Sequence, residues 1–372
     1  MNKLTIKIYN DMKTTILTLI LAIFCAVSVS AQTLVEPTNP NILTEGRTIL
    51  KGNVQHFCYP GTAFTIKFNG TGISAKLKAN AGYYAVSVDG GGFSKFSTHG
   101  YDDGIREFEL AKCAAGEHTV KLMLVTEAFN VRPEFHGFVL GNGAKVLKID
   151  TKKRPKIEFI GNSITCGYGN EAQSESDHFA DSTSNFAKSF AGLTIKNLDA
   201  VSMVVARSGI GIYKNYGDTI TGSRWPMPRV YENTLINDTT VKWDFSRFKP
   251  DVVVVGLGTN DLSENNYDYE KFAVSYVAFV KTIRQHYPTA KIVLLNSPML
   301  HYQQAQHLSD VITNSITAMR VLNDSRVFMF HFQEQDDSLG YGADWHPSAK
   351  RAAEMSRYLS YFIKTEVLKL KK

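Results

Sequence analysis

The sequence predicts two folds in one chain: an all-β sandwich of jelly-roll type, then an α/β domain with a doubly wound parallel sheet and helices on both faces. Three observations carry this. Residues 45–150 alternate apolar and polar with period two between glycine-rich turns. After "IDTKKRPK" the pattern changes to β-branched runs alternating with segments of helical period. A length of 372 residues suits two domains, and 44% hydrophobic with 20% charged residues describes a chain able to bury a real core.

The first segment stands apart. "MNKLTIKIYNDMKTTILTLILAIFCAVSVSAQ" sets Lys3, Lys7 and Lys13 ahead of the apolar run Ile16 to Val29 and ends in Val29-Ser30-Ala31, suited to cleavage before Gln32. Residues 1–31 therefore read as a secretory signal peptide, and the mature chain is expected to be periplasmic, cell-surface or extracellular. A retained membrane anchor would need about 20 apolar residues, more than this run supplies. Phe24 before Cys25 is too bulky for the usual lipoprotein processing site. No stable membrane insertion is expected once the leader is removed.

Without residues 1–31 the formal charge falls from +6 to +4. The basic excess is spread out, and its one cluster, Lys152-Lys153-Arg154, reads as a solvated linker, so no nucleic-acid partner is expected. Cys58, Cys113 and Cys166 remain, with no CxxC spacing. A Cys58–Cys113 bridge stays open, and Cys166 is expected to pack in the core.

The sandwich is assigned to residues 32–150. In "GTAFTIKFNGTGISAKLKA", Phe64, Ile66 and Phe68 alternate with polar residues, as do Ile73, Ala75 and Leu77, and Asn69-Gly70 between them predicts a hairpin turn. "YYAVSVDGGGFSKFS" repeats the theme with Asp89-Gly90, and "EHTVKLMLVTEAF" and "EFHGFVLGNG" add strands.

Residues 151–372 make the α/β domain. "IEFI", "AVSMVVARSG", "DVVVVGLGTND", "KIVLLNSPM" and "RVFMFHF" read as strands, the third buried on both faces. Between and after them, "SNFAKSFAGLTI", "LSDVITNSITAMRVLN" and "SAKRAAEMSRYLSYFIKTEVL" read as helices. So does "YEKFAVSYVAFVKTIRQHYP", with Phe272, Tyr276, Phe279 and Ile283 on one face. Sheets of this kind place their sites at the carboxyl ends of the strands.

Four informative stretches stand near predicted strand ends: Gly161-Asn162-Ser163, Ser208-Gly209-Ile210-Gly211, Gly258-Thr259-Asn260-Asp261 and Asp344-Trp345-His346-Pro347. Alone, each has a plain explanation. Ser163 can be an N-cap, Gly209 and Gly211 turn glycines, Asn260 an Asx-turn residue, and His346 a structural residue before Pro347 at a helix start. Together they supply what acyl transfer needs. Ser163 would be the nucleophile and His346 its base. Asp344, two residues before His346, would project to the same side of an extended loop and orient the ring. The Ser163 N–H, the Gly209 N–H and the Asn260 side-chain amide would receive the oxyanion.

This set resembles the SGNH hydrolases, the GDSL esterase superfamily, whose four blocks carry serine, glycine, asparagine and histidine in that order. The resemblance implies a flavodoxin-like catalytic domain. It differs from the α/β-hydrolase elbow, GxSxG, which Gly161-Asn162-Ser163-Ile164-Thr165 does not match. More narrowly the chain looks like carbohydrate esterase family 2: secreted, a jelly-roll before an SGNH domain, an opening "GNSITCGYG" and a closing "DWHPS". That likeness implies removal of O-acetyl groups from plant polysaccharides such as xylan and glucomannan, with no cofactor. Asp344 is the departure: the superfamily usually sets its acid three residues before the histidine, and some family members look like Ser–His dyads oriented by a backbone carbonyl. Asn162 replaces a commoner aspartate.

Trp345, Tyr168 and Trp225 are the candidate substrate contacts, since aromatic faces stack on sugar rings. Asp261, Asp336 and Asp337 lack metal-ligand spacing, so no metal is expected. Two rival readings are a lipase or thioesterase of the same superfamily and a non-catalytic carbohydrate-binding surface protein. The first needs an apolar acyl channel, and Ile210 to Asp238 carries charged, aromatic and glycine residues instead. The second would tolerate loss of the serine, histidine or asparagine, and all three are present.

Overall fold

The computed structural model describes residues 32–150 and 152–370, so the expected signal peptide lies outside the described residues. The first half is built from ten strands: β1 (Thr33–Val35), β2 (Leu43–Glu45), β3 (Ile49–Lys51), β4 (Val54–His56), β5 (Ala63–Lys78), β6 (Tyr83–Val88), β7 (Ser94–Ser97), β8 (Ile105–Leu124), β9 (Glu134–Leu140) and β10 (Lys145–Leu147). They pair antiparallel in the order β3-β4-β9-β5-β8-β6-β7, with β1 on β9 and both β2 and β10 on β5.

One expectation fails here. Asn69-Gly70 is not a turn: β5 runs unbroken through it for 16 residues. Gly70 faces Gly116 on β8, and the register between those strands shifts around Gly70/Gly72. A bulge at small residues lets a long strand bend without ending. The alternation itself is as read: Phe64, Ile66, Phe68, Ile73, Ala75 and Leu77 all face one buried core. Asp89 (φ 52°) and Gly90 (φ 74°) do make the turn that ends β6.

The second half has five parallel strands: β11 (Lys156–Gly161), β12 (Val201–Ala206), β15 (Val252–Gly256), β16 (Lys291–Leu295) and β17 (Val327–Phe330). A small hairpin, β13 (Asn233–Leu235) with β14 (Asp238–Lys242), lies in the insertion between β12 and β15. The sheet order is β12-β11-β15-β16-β17, so the chain leaves β11 to one side and returns on the other. The crevice at that reversal is where open α/β sheets bind ligands.

Among the described residues seven α-helices accompany the sheet: α1 (Ser163–Cys166), α2 (Phe190–Asn197), α3 (Met227–Val230), α4 (Thr259–Leu262), α5 (Tyr269–His286), α6 (Tyr302–Val321) and α7 (Ala349–Phe362). Four of them, α1, α2, α5 and α7, start on a side-chain cap. The Asp268 side chain accepts from Lys271 N–H at α5, and Ser348 from Arg351 N–H at α7. Phe272, Tyr276, Phe279 and Ile283 of α5 are buried against the sheet, each contributing about 1.5–3 kcal/mol of burial free energy. No helix among the described residues is long and apolar enough to cross a membrane.

The two halves share their cores. Ala63, Ala85, Met123 and Val125 of the sandwich pack in one cluster with Phe159, Phe186 and Phe190, and Cys58 and Tyr59 join the cluster on the other face. Arg47, fully buried, reaches from the sandwich to Glu158 in β11 (3.1 Å) and donates to the carbonyls of Tyr231 and Asn233. Burial pushes the Glu158 carboxyl up, against the pull of Arg47. Lys95 reaches Glu171 at 3.0 Å. Cys58, Cys113 and Cys166 are all free, so the Cys58–Cys113 bridge is not formed.

Candidate active site

Three of the parallel strands end level with one another just before Ser163. Gly161, the last residue of β11, pairs with Ala206 of β12 and Gly256 of β15. The segments that follow all three strands therefore leave side by side. A Cβ on Gly161 would stand 1.9 Å from Thr165 Oγ1, so glycine alone allows α1 to begin so tightly. The N-cap of α1 is Asn162, not Ser163: its side chain accepts from Ile164 N–H at 3.1 Å. Asn162 keeps the capping oxygen of an aspartate and leaves Ser163 at the first helical position, where its N–H has no intrahelical partner.

His346 Nε2 lies 2.8 Å from Ser163 Oγ. Its Nδ1 contacts two backbone carbonyls, Ala343 at 3.0 Å and Asp344 at 3.1 Å. This corrects the expected carboxylate–ring contact. The segment is not extended: Asp344 (φ 49°) and Trp345 (φ 61°) are both left-handed, so the backbone rather than the carboxylate of Asp344 is turned to the ring. The carboxylate instead accepts from Tyr168 Oη–H at 2.6 Å and contacts His178 Nδ1 at 2.8 Å. Desolvation raises the Asp344 pKa, but those bonds outweigh it and hold the carboxyl below its usual range. Burial lowers the His346 pKa, only partly opposed by the two carbonyls. The ring is thus neutral and able to accept a proton near pH 7.

Tyr168 has a different place from the one expected. Its ring stacks on His346, centroids 4.1 Å apart at 23°, while its hydroxyl is tied to Asp344. The "GYGN" run also explains itself. Gly169 carries φ 51°, and a Cβ there would stand 2.3 Å from Ala343 Cβ. Ala343 N–H donates to Gly169 carbonyl (3.0 Å), and Ala349 N–H to Asn170 carbonyl (2.8 Å). The opening and closing motifs are zipped together by main chain.

The remaining donors stand on a pinned loop. Among the described residues Gly209 N–H has no hydrogen-bond partner, while its carbonyl accepts from Tyr216 N–H at 2.9 Å. At φ 75° with nothing within 4 Å of a would-be Cβ, Gly209 is set by backbone conformation rather than by crowding. Asn260 Nδ2 donates to Ile210 carbonyl at 2.8 Å, which leaves its second N–H. Asp261, fully buried, accepts from the N–H groups of Ile212, Tyr213 and Lys214 and is pushed up to about 6 by burial. It holds the glycine loop to the helix that bears Asn260. Nothing in the sequence distinguished this role from a surface acid.

Trp345 is 56% exposed and packs edge-on to Tyr341. Trp225 is 40% exposed, and its carbonyl accepts from Asn215, which also receives Gly211 N–H. Trp345 is beside the histidine in the chain, whereas Trp225 is linked to the site through the glycine loop. Ser163, His346, Ile164, Phe190 and Met355 line a pocket of about 10 Å³, room for one water-sized group. Among the described residues no cluster of three or more His, Cys, Asp or Glu is arranged to hold a metal ion.

A serine in contact with a neutral histidine can perform acyl transfer when hydrogen-bond donors receive the oxyanion. The activity should fall as His346 takes a proton. Because its pKa is depressed, the acid limb of kcat/KM against pH is expected below 6.5, with activity lost only as pH drops through that limb. An acid limb above pH 7 would contradict this.

The chain is similar to known proteins over both halves. Residues 44–149 match the family model "Carbohydrate esterase 2 N-terminal", and residues 159–351 match "GDSL-like Lipase/Acylhydrolase family". The chain is 34% identical over 334 residues to the cellulase/esterase CelE of Acetivibrio thermocellus, spanning 88% of this chain but 40% of that protein. It is 30% identical over 305 residues to an acetylxylan esterase / glucomannan deacetylase of Cellvibrio japonicus, covering 79% of this chain and 81% of that one. Among solved structures, a family two carbohydrate esterase from Clostridium thermocellum in complex with cellohexaose superposes with a TM-score of 0.82 at 33% identity, over 88% of this chain and all of that one.

Proposed function

Because the chain belongs to carbohydrate esterase family 2 and is a carboxylic ester hydrolase, we propose that it is a secreted serine esterase that removes O-acetyl groups from acetylated xylan, glucomannan or their oligosaccharides. The observation that carries this is the 2.8 Å contact between His346 Nε2 and Ser163 Oγ at the sheet's switch point. Ser163 Oγ attacks the acetyl carbonyl as His346 takes its proton. Ser163 N–H, Gly209 N–H and the free Asn260 N–H receive the oxyanion. The sugar hydroxyl leaves with the proton from His346, and acetate follows when His346 activates water on the acetyl-serine. The imidazolium formed in each step donates its Nδ1–H to the Ala343 and Asp344 carbonyls.

Exposed Trp345 next to the base supplies a face for a sugar ring. The test is acetate release from acetylated xylan and acetylated glucomannan, set against hydrolysis of long-chain acyl esters. Release from either polymer supports the reading. Cleavage confined to long-chain esters would replace it with the lipase, and no cleavage of any ester with a sugar-binding one.

Asp344 is proposed as a positioning residue that holds Tyr168 against His346. Asp344→Asn keeps an acceptor and tolerates φ 49°, and is expected to cost less than about 10-fold in kcat. In a triad whose carboxylate sets the tautomer, the same change costs about 10⁴-fold. Steady-state kinetics of the Asn variant separates the two arrangements, and a loss near the larger figure would restore the triad.

A further inference from the structure

Glu127 follows the end of β8, in a segment that the sequence offered only as a strand end, yet its carboxylate is delivered across the domain boundary. Oε1 accepts the Ser208 main-chain N–H at 2.6 Å, and Oε2 accepts the Ser208 hydroxyl. The Cys166 thiol on α1 faces the same carboxylate. Ser208 immediately precedes Gly209, and Cys166 closes the single helical turn that opens with Ser163. One carboxylate therefore binds the segment that leads into Gly209 and lies beside the helical turn that opens with Ser163.

We infer that Glu127, supplied by the β-sandwich, is a positioning residue that fixes the Gly209 and Ser163 N–H groups relative to each other. The inference rests on the esterase reading of Ser163. The Ser208–Gly209 peptide, whose N–H is left unpaired, hangs between two pinned neighbours. Glu127 grips the peptide before it, and Tyr216 N–H binds the Gly209 carbonyl after it. Asn260 and Asp261 secure the loop farther on, and among the described residues the side-chain hydrogen bonds that hold its leading end from the sandwich half come from Glu127. Desolvating a carboxylate is costly unless hydrogen bonds replace its water. Here those bonds are spent on the loop, not on an ion pair: Arg207, the nearby cation, faces the Phe129 ring.

Donors aimed in advance at the developing charge act in the transition state, so displacing one lowers kcat more than it raises KM. The experiment compares Glu127→Ala, Glu127→Gln and Ser208→Ala with the parent. It reads acetate-release kinetics, the rate at which a p-nitrophenyl phosphonate modifies Ser163, and thermal unfolding. The phosphonyl oxygen occupies the same donors as the acetyl oxyanion. Since removal of a whole donor costs about 10²–10³-fold, misplacing one in Glu127→Ala is expected to lower kcat about 10–100-fold, with KM within about threefold and phosphonylation slowed in parallel. Glu127→Gln and Ser208→Ala each retain one of the two bonds and should lie between Ala and the parent. They also give the readout should Glu127→Ala not fold. If the folded Gln and Ser208→Ala variants keep both rates within twofold of the parent, whatever their unfolding temperature, the inference is overturned alone. A parent that neither releases acetate nor is phosphonylated removes the esterase reading, and the inference falls with it.

Discussion

Ser163→Ala is expected to reduce kcat for acetate release by about 10⁴–10⁶-fold, the loss seen when the nucleophile of a serine hydrolase is removed. Among the described residues it is the hydroxyl that His346 Nε2 contacts directly, at the first helical position of α1. What survives would be donors that still bind the carbonyl oxygen, so KM should change little. The fold should be undisturbed, because Asn162 rather than Ser163 caps α1. Activity above about 1% in a purified variant with a parent-like melting curve would leave Ser163 without its role.

The largest expected effect on stability is at Arg47. Removing one member of a fully buried ion pair typically costs about 3–5 kcal/mol, because the partner is left uncompensated. Arg47→Met strands Glu158 in β11, strips acceptor carbonyls Tyr231 and Asn233 of their donor, and loses the guanidinium's contact with the rings of Tyr231 and Trp243. At about 2–4 °C per kcal/mol for a domain of 150–250 residues, the melting temperature should fall by roughly 6–20 °C. Glu158→Gln added to Arg47→Met should recover part of the loss, since a neutral amide is cheaper to bury than a lone carboxylate. Urea unfolding of the parent and the two variants decides this. A loss below 1 kcal/mol in Arg47→Met would mean that the pair is not the lock it resembles.

Much of this was legible in the residues. Strand and helix periods named the layers because one face of each element is buried, and β15 reads as a continuous valine run because both of its faces are. The four motifs marked where those strands end. Other features depend on what the chain meets after folding. The Asn69-Gly70 pair has the chemistry of a turn, and only β8 pairing along its length keeps β5 going. Asp344 two residues before His346 suggested a carboxylate facing the ring, but two consecutive left-handed residues exchange carboxylate for carbonyl. Tyr168 has the aromatic face of a sugar contact, whereas its stacking on His346 is set by a loop 176 residues away in the chain. Arg47 and Glu127 gave no signal at all, since each acquires its partner across a domain boundary.

That boundary has a consequence for portability. Esterase domains are often treated as cassettes to be cut out and fused elsewhere. Here an excised residue 151–372 fragment would lose the partner of Glu158, the anchor on Ser208, and the apolar side chains of Ala63, Met123 and Val125 that complete one of its cores. The exchangeable unit is the pair of halves, and any chimera should be joined outside it. The likeness to the longer CelE polypeptide, 334 residues running through both halves, has that extent.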